Sequence, residues 1–445
     1  MSTATATPQG IDPHLPSDWE IRYRKARIHA FALTWCAYAG FYLCRKNLSV
    51  LKDPLAEAFA LTNTQLGAID TGYLIAYAIG QFISGTLGDR FGGKKVVGIG
   101  LIFTALMNLC FGFGQGFLFF LVPWVLNGFA QSSGWPGCTK SFSDWFARGE
   151  RGSAMGFWLT CYQAGPVIAT LLATTLLVHF GWQSALFGPA LIIFGFALLF
   201  KWKMPGSPQT EGLPHVEVYH AHKHNTEMLV ADNEEDAEDD NWQHVRLVLT
   251  SRPIWTLGLS YVVLKFIRYS LLFWLPFYMA QELKYETGEA GYTSIAFDVA
   301  GVLGVILAGL ISDRLFKSRR APPAVIMMLL LAVATFAYTE VSGLGKIENL
   351  ISIAVLGFLL YGPDALISGV AAVDFGHGRA SALAAGFVNG LGSIGGALSG
   401  VVVGYVSELY GWSSVFMIFS PLCIVGALLM STLWNTTPET ENAKA

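Results

Sequence analysis

The sequence predicts an all-α polytopic membrane protein with twelve transmembrane helices arranged as two six-helix repeats. Three observations lead there. Of the 445 residues, 53% are hydrophobic and only 13% charged, against about 25% charged in an ordinary soluble domain. Apolar runs near or above the roughly 20 residues that cross a bilayer recur along the whole chain. Finally, motifs of the first half return in the second at a nearly constant distance.

The spans are expected at 28–51, 65–88, 96–113, 117–143, 152–178, 183–203, 253–281, 290–312, 322–342, 348–373, 380–406 and 411–434. Only one long polar stretch interrupts them, 204–250, which holds "HAHKHN" and "DNEEDAEDD". It separates a six-helix bundle over 28–203 from another over 251–434, with polar tails at 1–27 and 435–445. The duplication is visible in detail. "SGTLGDRFGGKK" (84–95) returns as "AGLISDRLFKSRR" (308–320), so Asp313 and Arg314 stand 224 positions after Asp89 and Arg90. "RGSAMGFW" (151–158) returns 228 positions on as "RASALAAG", and "FGWQSALF" (180–187) returns 230 positions on as "YGWSSVFM". Parallel repeats of this kind build a large class of secondary transporters.

Charge placement sets an orientation. Putting both tails and the 204–250 stretch in the cytoplasm collects Arg22, Arg24, Lys25, Arg27, Arg90, Lys94, Lys95, Arg148, Arg151, Arg314, Lys317, Arg319, Arg320 and Arg379 on that side. The other side keeps Lys52, Lys284 and Lys346, as the positive-inside rule requires. The N-terminal 26 residues lack the apolar core of a signal peptide.

Other features have plain readings. The net charge of −3 argues for no nucleic-acid partner. The six cysteines lie singly in apolar segments without a CxxC pair, as packing residues rather than disulfides or metal ligands. "GLGSIG" (390–395) fits a nucleotide-binding pattern, but no strand precedes it. Gly392, Gly396, Gly400 and Gly404 form a small-residue stripe for helix packing instead, as do Gly80, Ser84 and Gly88. "HAHKH" (220–224) is expected to be a flexible linker rather than a metal site. No nucleophile and base are arranged for catalysis, so neither an enzyme nor a bound cofactor is expected.

The charges inside the spans carry the function. A charge at mid-bilayer costs roughly 2.5–3.5 kcal/mol on insertion scales and needs a partner or a wet cavity. In "FYLCRKNLSV" (41–50), Arg45 and Lys46 are either snorkelling residues at a helix end or part of such a cavity. Arg268, inside "YVVLKFIRYSLLFWLPFYM", lies 223 positions after Arg45, one short of the motif repeat, so equivalent arginines facing one another across a cavity is the better reading. Arginine suits bidentate contact with phosphate oxygens. Tyr38, Tyr42, Arg45 and Ser49 fall on one helical face, as do Tyr261, Lys265 and Arg268. Such a cavity would bind a dianion. Lys46 points about 100° away from Arg45 on a helix and need not share its space. Asp298 is a buried carboxylate that either pairs with a cavity cation or carries a proton. Asp364, in "YGPDAL", could lie near an aqueous end, and Lys140 is expected towards the cytoplasmic end of the fourth span.

The G-x-L-x-D-R-x-G-x-K pattern in "GTLGDRFGGK" (85–94) resembles the signature of the major facilitator superfamily. A narrower resemblance is to the organophosphate:phosphate antiporters, which include glycerol-3-phosphate and hexose-phosphate transporters and animal sugar-phosphate exchangers. It is carried by "YLCRKNLSVLKDPL" (42–55), "LNGFAQSSGWPGCTKSFSDWF" (126–146), "RYSLLFWLPFY" (268–278), "LLYGPDALI" (359–367) and "NGLGSIGGAL" (389–398). The resemblance implies a bacterial inner-membrane antiporter, expected to act as a monomer, that exchanges inorganic phosphate for an organic phosphate ester by alternating access. It implies that Arg45 and Arg268 are the phosphate-binding pair. Lys46 and Lys265 would add field, and Tyr38, Tyr42, Tyr162 and Gln163 would shape the ester pocket. Asp89/Arg90 and Asp313/Arg314 would exchange partners as the halves rock, with Asp298 a candidate coupling group.

This chain departs from the bacterial glycerol-phosphate pattern at Gln81, Tyr162, Lys265 and Phe273, where those relatives have lysine, histidine, tyrosine and aspartate. Two alternatives stand beside antiport: a proton-coupled organic-anion symporter, and a transporter-like sugar-phosphate sensor.

Overall fold

A backbone in hydrocarbon must satisfy its own polar groups, which leaves helices or closed barrels. The computed structural model describes residues 15, 17–224, 246, 248–375 and 381–436, and among these the regular structure is helical throughout. The first span is α1 (Trp19–Leu43) followed by α2 (Asn47–Phe59), broken at Cys44–Lys46. The second and third are α3 (Asn63–Phe91) and α4 (Gly93–Gly112). The fourth, α5 (Phe117–Gln131) and α6 (Gly134–Trp145), steps at Ser132–Ser133; the fifth, α7 (Arg148–Trp158) and α8 (Cys161–Phe180), steps at Leu159–Thr160. The sixth is α9 (Ser184–Lys203), and a short helix α10 (Val216–His224) follows it.

The second half is more continuous. It comprises α11 (Arg252–Gln281), α12 (Thr287–Arg314), α13 (Ala321–Ser342) and α14 (Lys346–Ala365). The last of these runs through a π-helical segment, Leu366–Ala371, into α15 (Ala372–Phe375). The final helix, α16 (Ser381–Ser431), turns at Gly411, whose φ of 78° lies in the left-handed region open to glycine, and so supplies two spans. Nine described helices are long and apolar enough to cross a membrane, the stepped fifth span among them. Counting α16 twice and adding the interrupted first and fourth spans gives the twelve expected.

Ser49 lies beyond the break after Leu43, on α2, where its Oγ donates to the Lys46 carbonyl at 2.7 Å. Residues 216–224 are helical rather than a flexible linker. The α10 helix lies against the start of α1, with the Tyr219 and Tyr23 rings stacked at 3.9 Å and His222 Nε2 2.9 Å from Glu20 Oε1. The acidic run at 232–240 and Arg379 lie outside the described residues.

The halves meet at the end that carries the α2–α3, α8–α9 and α11–α12 connections. Gly67 of α3 and Gly400 of α16 bring backbone against backbone: a Cβ on Gly400 would stand 2.5 Å from the Gly67 carbonyl oxygen. Gly404 lies equally close to Asn63, whereas Gly88, expected in a packing stripe, faces no neighbour. Asn63 Nδ2 donates to Ser407 Oγ at 3.0 Å and the Thr64 amide to Glu408 at 2.8 Å. Asp53 accepts from Gln281 at 2.6 Å and from Thr287 at 2.9 Å. Lys52, expected as a charge at this side's surface, is fully buried. Its Nζ is 2.5 Å from Asp70 Oδ2 and 3.5 Å from the centre of the Trp274 ring across the interface. At the opposite end the ion pairs among the described residues stay within one half: Arg27 with Glu150 at 2.8 Å, and Arg320 with Asp313 at 2.5 Å and Asp374 at 3.3 Å.

Two outcomes follow from this end of the molecule. A disulfide between N63C and S407C should form readily in an otherwise cysteine-free chain, and Gly400→Leu should suppress it several-fold. Removing one partner of a buried ion pair costs about 3–5 kcal/mol. Lys52→Met should therefore lower thermal stability in detergent sharply, and Lys52→Met with Asp70→Leu should recover most of the loss.

Candidate functional site

The site grows out of the break in the first span. Stopping a helix inside the membrane leaves carbonyls without partners. Here the Cys44 carbonyl receives three side-chain amides: Asn108 Nδ2 at 3.1 Å, Asn127 Nδ2 at 2.8 Å and Gln131 Nε2 at 3.0 Å. Asn47, opening α2, donates to Asn108 Oδ1 at 2.9 Å and to the Ala185 carbonyl at 3.2 Å. The break is therefore satisfied from α4, α5 and α9, and it turns the two adjacent cations to different partners.

Arg45 points into the first half. Its Nε donates to Gln131 Oε1 at 3.0 Å, and that same oxygen accepts from the Tyr73 hydroxyl at 2.8 Å. The guanidinium lies over the rings of Tyr42 (4.9 Å), Tyr77 (4.8 Å) and Tyr73 (5.7 Å). It is 5% exposed, and among the described residues no carboxylate pairs with it. A buried cation held by ring faces and one amide, with no counterion, is a standing attraction for an anion.

Lys46 points across to the second half, where its Nζ donates to the Leu272 carbonyl and lies 3.8 Å from Asp298 Oδ2. Asp298 in turn accepts from the Tyr361 hydroxyl at 2.7 Å, so it stands paired with a cation and a phenol. Over the Tyr361 ring, at 4.6 Å, sits the Arg268 guanidinium. Arg268 Nη1 donates to Asp364 Oδ2 at 2.8 Å, which takes Asp364 away from any aqueous end. One turn back on α11, Lys265 donates to Asn389 Oδ1 at 2.9 Å and Ser393 Oγ at 3.3 Å, and it lies 5.1 Å from the Tyr261 ring. Tyr42 and Tyr269 are each within electrostatic range of both Arg45 and Arg268, so both arginines lie near the junction of the two halves.

The remaining expected residues divide. Tyr38 donates to the Tyr162 hydroxyl at 3.0 Å, with their rings 4.8 Å apart, and Trp135 and Trp158 complete an aromatic wall. Gln163 is half-buried beside Tyr162. Lys140 is held by Asp144 at 3.4 Å. Arg90 lies over the neighbouring Phe91 ring at 5.2 Å, Arg314 is exposed, and Asp313 is occupied by Arg320; the Asp89 side chain lies outside the described residues. Sequence reasoning missed Gln131, Tyr361 and Asn389. For Gln131 a signal was present, since Asn127 and Gln131 are amides four residues apart in an otherwise apolar helix.

Polyaromatic walls, paired inward-facing cations and a twelve-span duplicated fold define a membrane carrier. A sequence profile described as Major Facilitator Superfamily matches residues 34–372, and the chain belongs to that superfamily. Within it, its relatives are those of the organophosphate:phosphate antiporter family. It is 30% identical to the glycerol-3-phosphate transporter of Bacillus subtilis, over 97% of this chain and 98% of that one. It is 29% identical to the membrane sensor protein UhpC of Salmonella typhimurium, over 96% of each. It is also 29% identical to sugar phosphate exchanger 3 of Xenopus laevis, over 89% of this chain and 90% of that one. Among solved structures, a bacterial homologue of the human lysosomal transporter Spinster superposes with a TM-score of 0.75. That alignment has 13% identity and covers 92% of this chain and 95% of that one. A D-xylose–proton symporter reaches 0.68 at 16% identity, over 93% and 98%.

Gln131 is the residue on which this geometry can be tried. A hydrogen bond to a charged group contributes about 1.5–3 kcal/mol, so Gln131→Ala should weaken anion binding by roughly 10- to 150-fold. Gln131→Glu gives Arg45 the counterion it lacks and should weaken it further still. Isothermal titration with phosphate on the purified variants checks the order.

Proposed function

We propose that this chain exchanges inorganic phosphate for an organophosphate, a glycerol or sugar phosphate, by alternating access in a bacterial inner membrane. The observation that carries the reading is Arg45, buried without a carboxylate among the described residues and sharing the neighbours Tyr42 and Tyr269 with Arg268 of the other half. Between them a phosphoryl group would draw the halves together, one arginine from each. Lys46 and Lys265 would raise the field, while Tyr38, Tyr42, Tyr162 and Gln163 would border the organic part. The two bundles over 28–203 and 251–434 would rock about this centre, joined by the 204–250 segment.

With the termini in the cytoplasm, as the distribution of arginine and lysine favours, the closed end is the outer one and the site would open inward. Separation of Gly67 from Gly400 would then open it outward, with the Asp89/Arg90 and Asp313/Arg314 regions approaching each other at the inner end.

The similarity to a membrane sensor protein supports a second reading, in which the chain binds a sugar phosphate and signals without moving it. Counterflow in proteoliposomes separates the two. Labelled phosphate trapped inside should leave only when phosphate or an ester is supplied outside. Arg45→Lys and Arg268→Lys should each abolish that exchange despite normal insertion, because a lysine cannot make the bidentate contact. Ordinary exchange in either variant would sink the mechanism, and tight binding without flux would favour the sensor.

A further inference from the structure

The two arginines are not equivalent, and their difference says which form of the anion this site takes; the inference rests on the phosphate reading above. Arg45 has no carboxylate, whereas Arg268 is already paired with Asp364 at 2.8 Å. That pair is incomplete on both sides. Arg268 Nε and Asp364 Oδ1 are shielded from solvent, and neither has a hydrogen-bond partner. An unused donor and an unused acceptor therefore stand on one ion pair, in a place where unmade hydrogen bonds are costly.

Among the described residues no group donates to Asp364 Oδ1. From α11 the groups facing Asp364 are Arg268, Lys265, Tyr261 and Tyr269. Lys265 is committed to Asn389 and Ser393. On α14 itself, the Tyr361 hydroxyl is committed to Asp298 of α12. From α13 the neighbour of this turn is the Met327 side chain, against Gly362, which does not titrate. A fully ionised phosphate would not help, because it offers acceptors only. It could serve Arg268 Nε but would meet the Asp364 carboxylate with like charge. A phosphate that keeps one proton offers both functions at once, an oxygen that accepts and a P–OH that donates.

We infer that the site selects phosphate and its ester in a form that keeps a P–OH, with Asp364 as the specificity-determining residue. Arg268 Nε donates to a phosphoryl oxygen, and the P–OH donates to Asp364 Oδ1. No covalent bond changes, and the proton stays on the phosphate and travels with it in both directions. A group built to accept from a ligand hydroxyl rejects an analogue that lacks it. Sulfate is that analogue, a tetrahedral dianion without a proton at neutral pH.

The test is equilibrium binding of phosphate, sulfate and glycerol phosphate to the purified full chain between pH 6 and pH 8. The wild type should bind phosphate at least about 100-fold more tightly than sulfate. Its affinity for the ester should fall roughly 50-fold across that range, following loss of the last phosphate proton with its pKa of about 6. Asp364→Asn should admit sulfate within a few-fold of phosphate and flatten the pH profile, while Asp364→Glu should keep the discrimination. Equal binding of sulfate and phosphate by the wild type, or a flat profile, would overturn the inference. So would preference for glycerol phosphate over both inorganic ions alike, since the donor would then be a ligand hydroxyl. If Asp364→Asn does not fold, the wild-type ratio and profile decide alone. Absence of all phosphate binding would remove the phosphate reading together with this one; phosphate binding without discrimination would remove only this one.

Discussion

The arrangement depends on one carbonyl. Ending a helix at Cys44 in the middle of a membrane is tolerable only because Asn108, Asn127 and Gln131 all aim amides at that oxygen. Once the helix stops there, consecutive residues no longer follow helical spacing. Arg45 can settle among the tyrosines of its own half while Lys46 reaches the carbonyl of Leu272 in the other. Gln131 joins the two tasks, since its nitrogen closes the break and its oxygen orients the guanidinium. Closing the break and orienting Arg45 are inseparable at this point.

Charge is distributed unevenly between the halves. The first half presents Arg45 against ring faces and an amide. The second carries its cations on an unbroken α11 and provides two buried carboxylates, Asp298 and Asp364, that answer Lys46 and Arg268. Four cations and two carboxylates leave a formal surplus of two positive charges near the junction of the halves. A surplus of that size draws a small anion without the full desolvation cost of four bare cations.

Much of this was legible in the chain. Composition and run length require a helical membrane protein, and the spacing of Asp89 to Asp313 and of Arg45 to Arg268 requires a duplication. What periodicity cannot reveal is where a helix breaks, because "CRKN" contains no proline or glycine. Its interruption is decided by amides 60 to 90 positions away. The burial of Lys52 was equally hidden, since its partner Asp70 lies on another helix and Trp274 in the other half. Local pattern reports which face a residue takes on one helix; partners across helices come only from the packing.

The α2 helix has a consequence of its own. Its thirteen residues make a rod about 20 Å long. At its start are the Cys44–Lys46 break and Arg45; one turn and a half further on, Lys52 and Asp53 fasten it to Asp70, Trp274, Gln281 and Thr287. The rod is thus fastened at its middle and interrupted at its start. The contacts that hold the two halves together at the closed end are therefore joined to Arg45 through less than two turns of one helix.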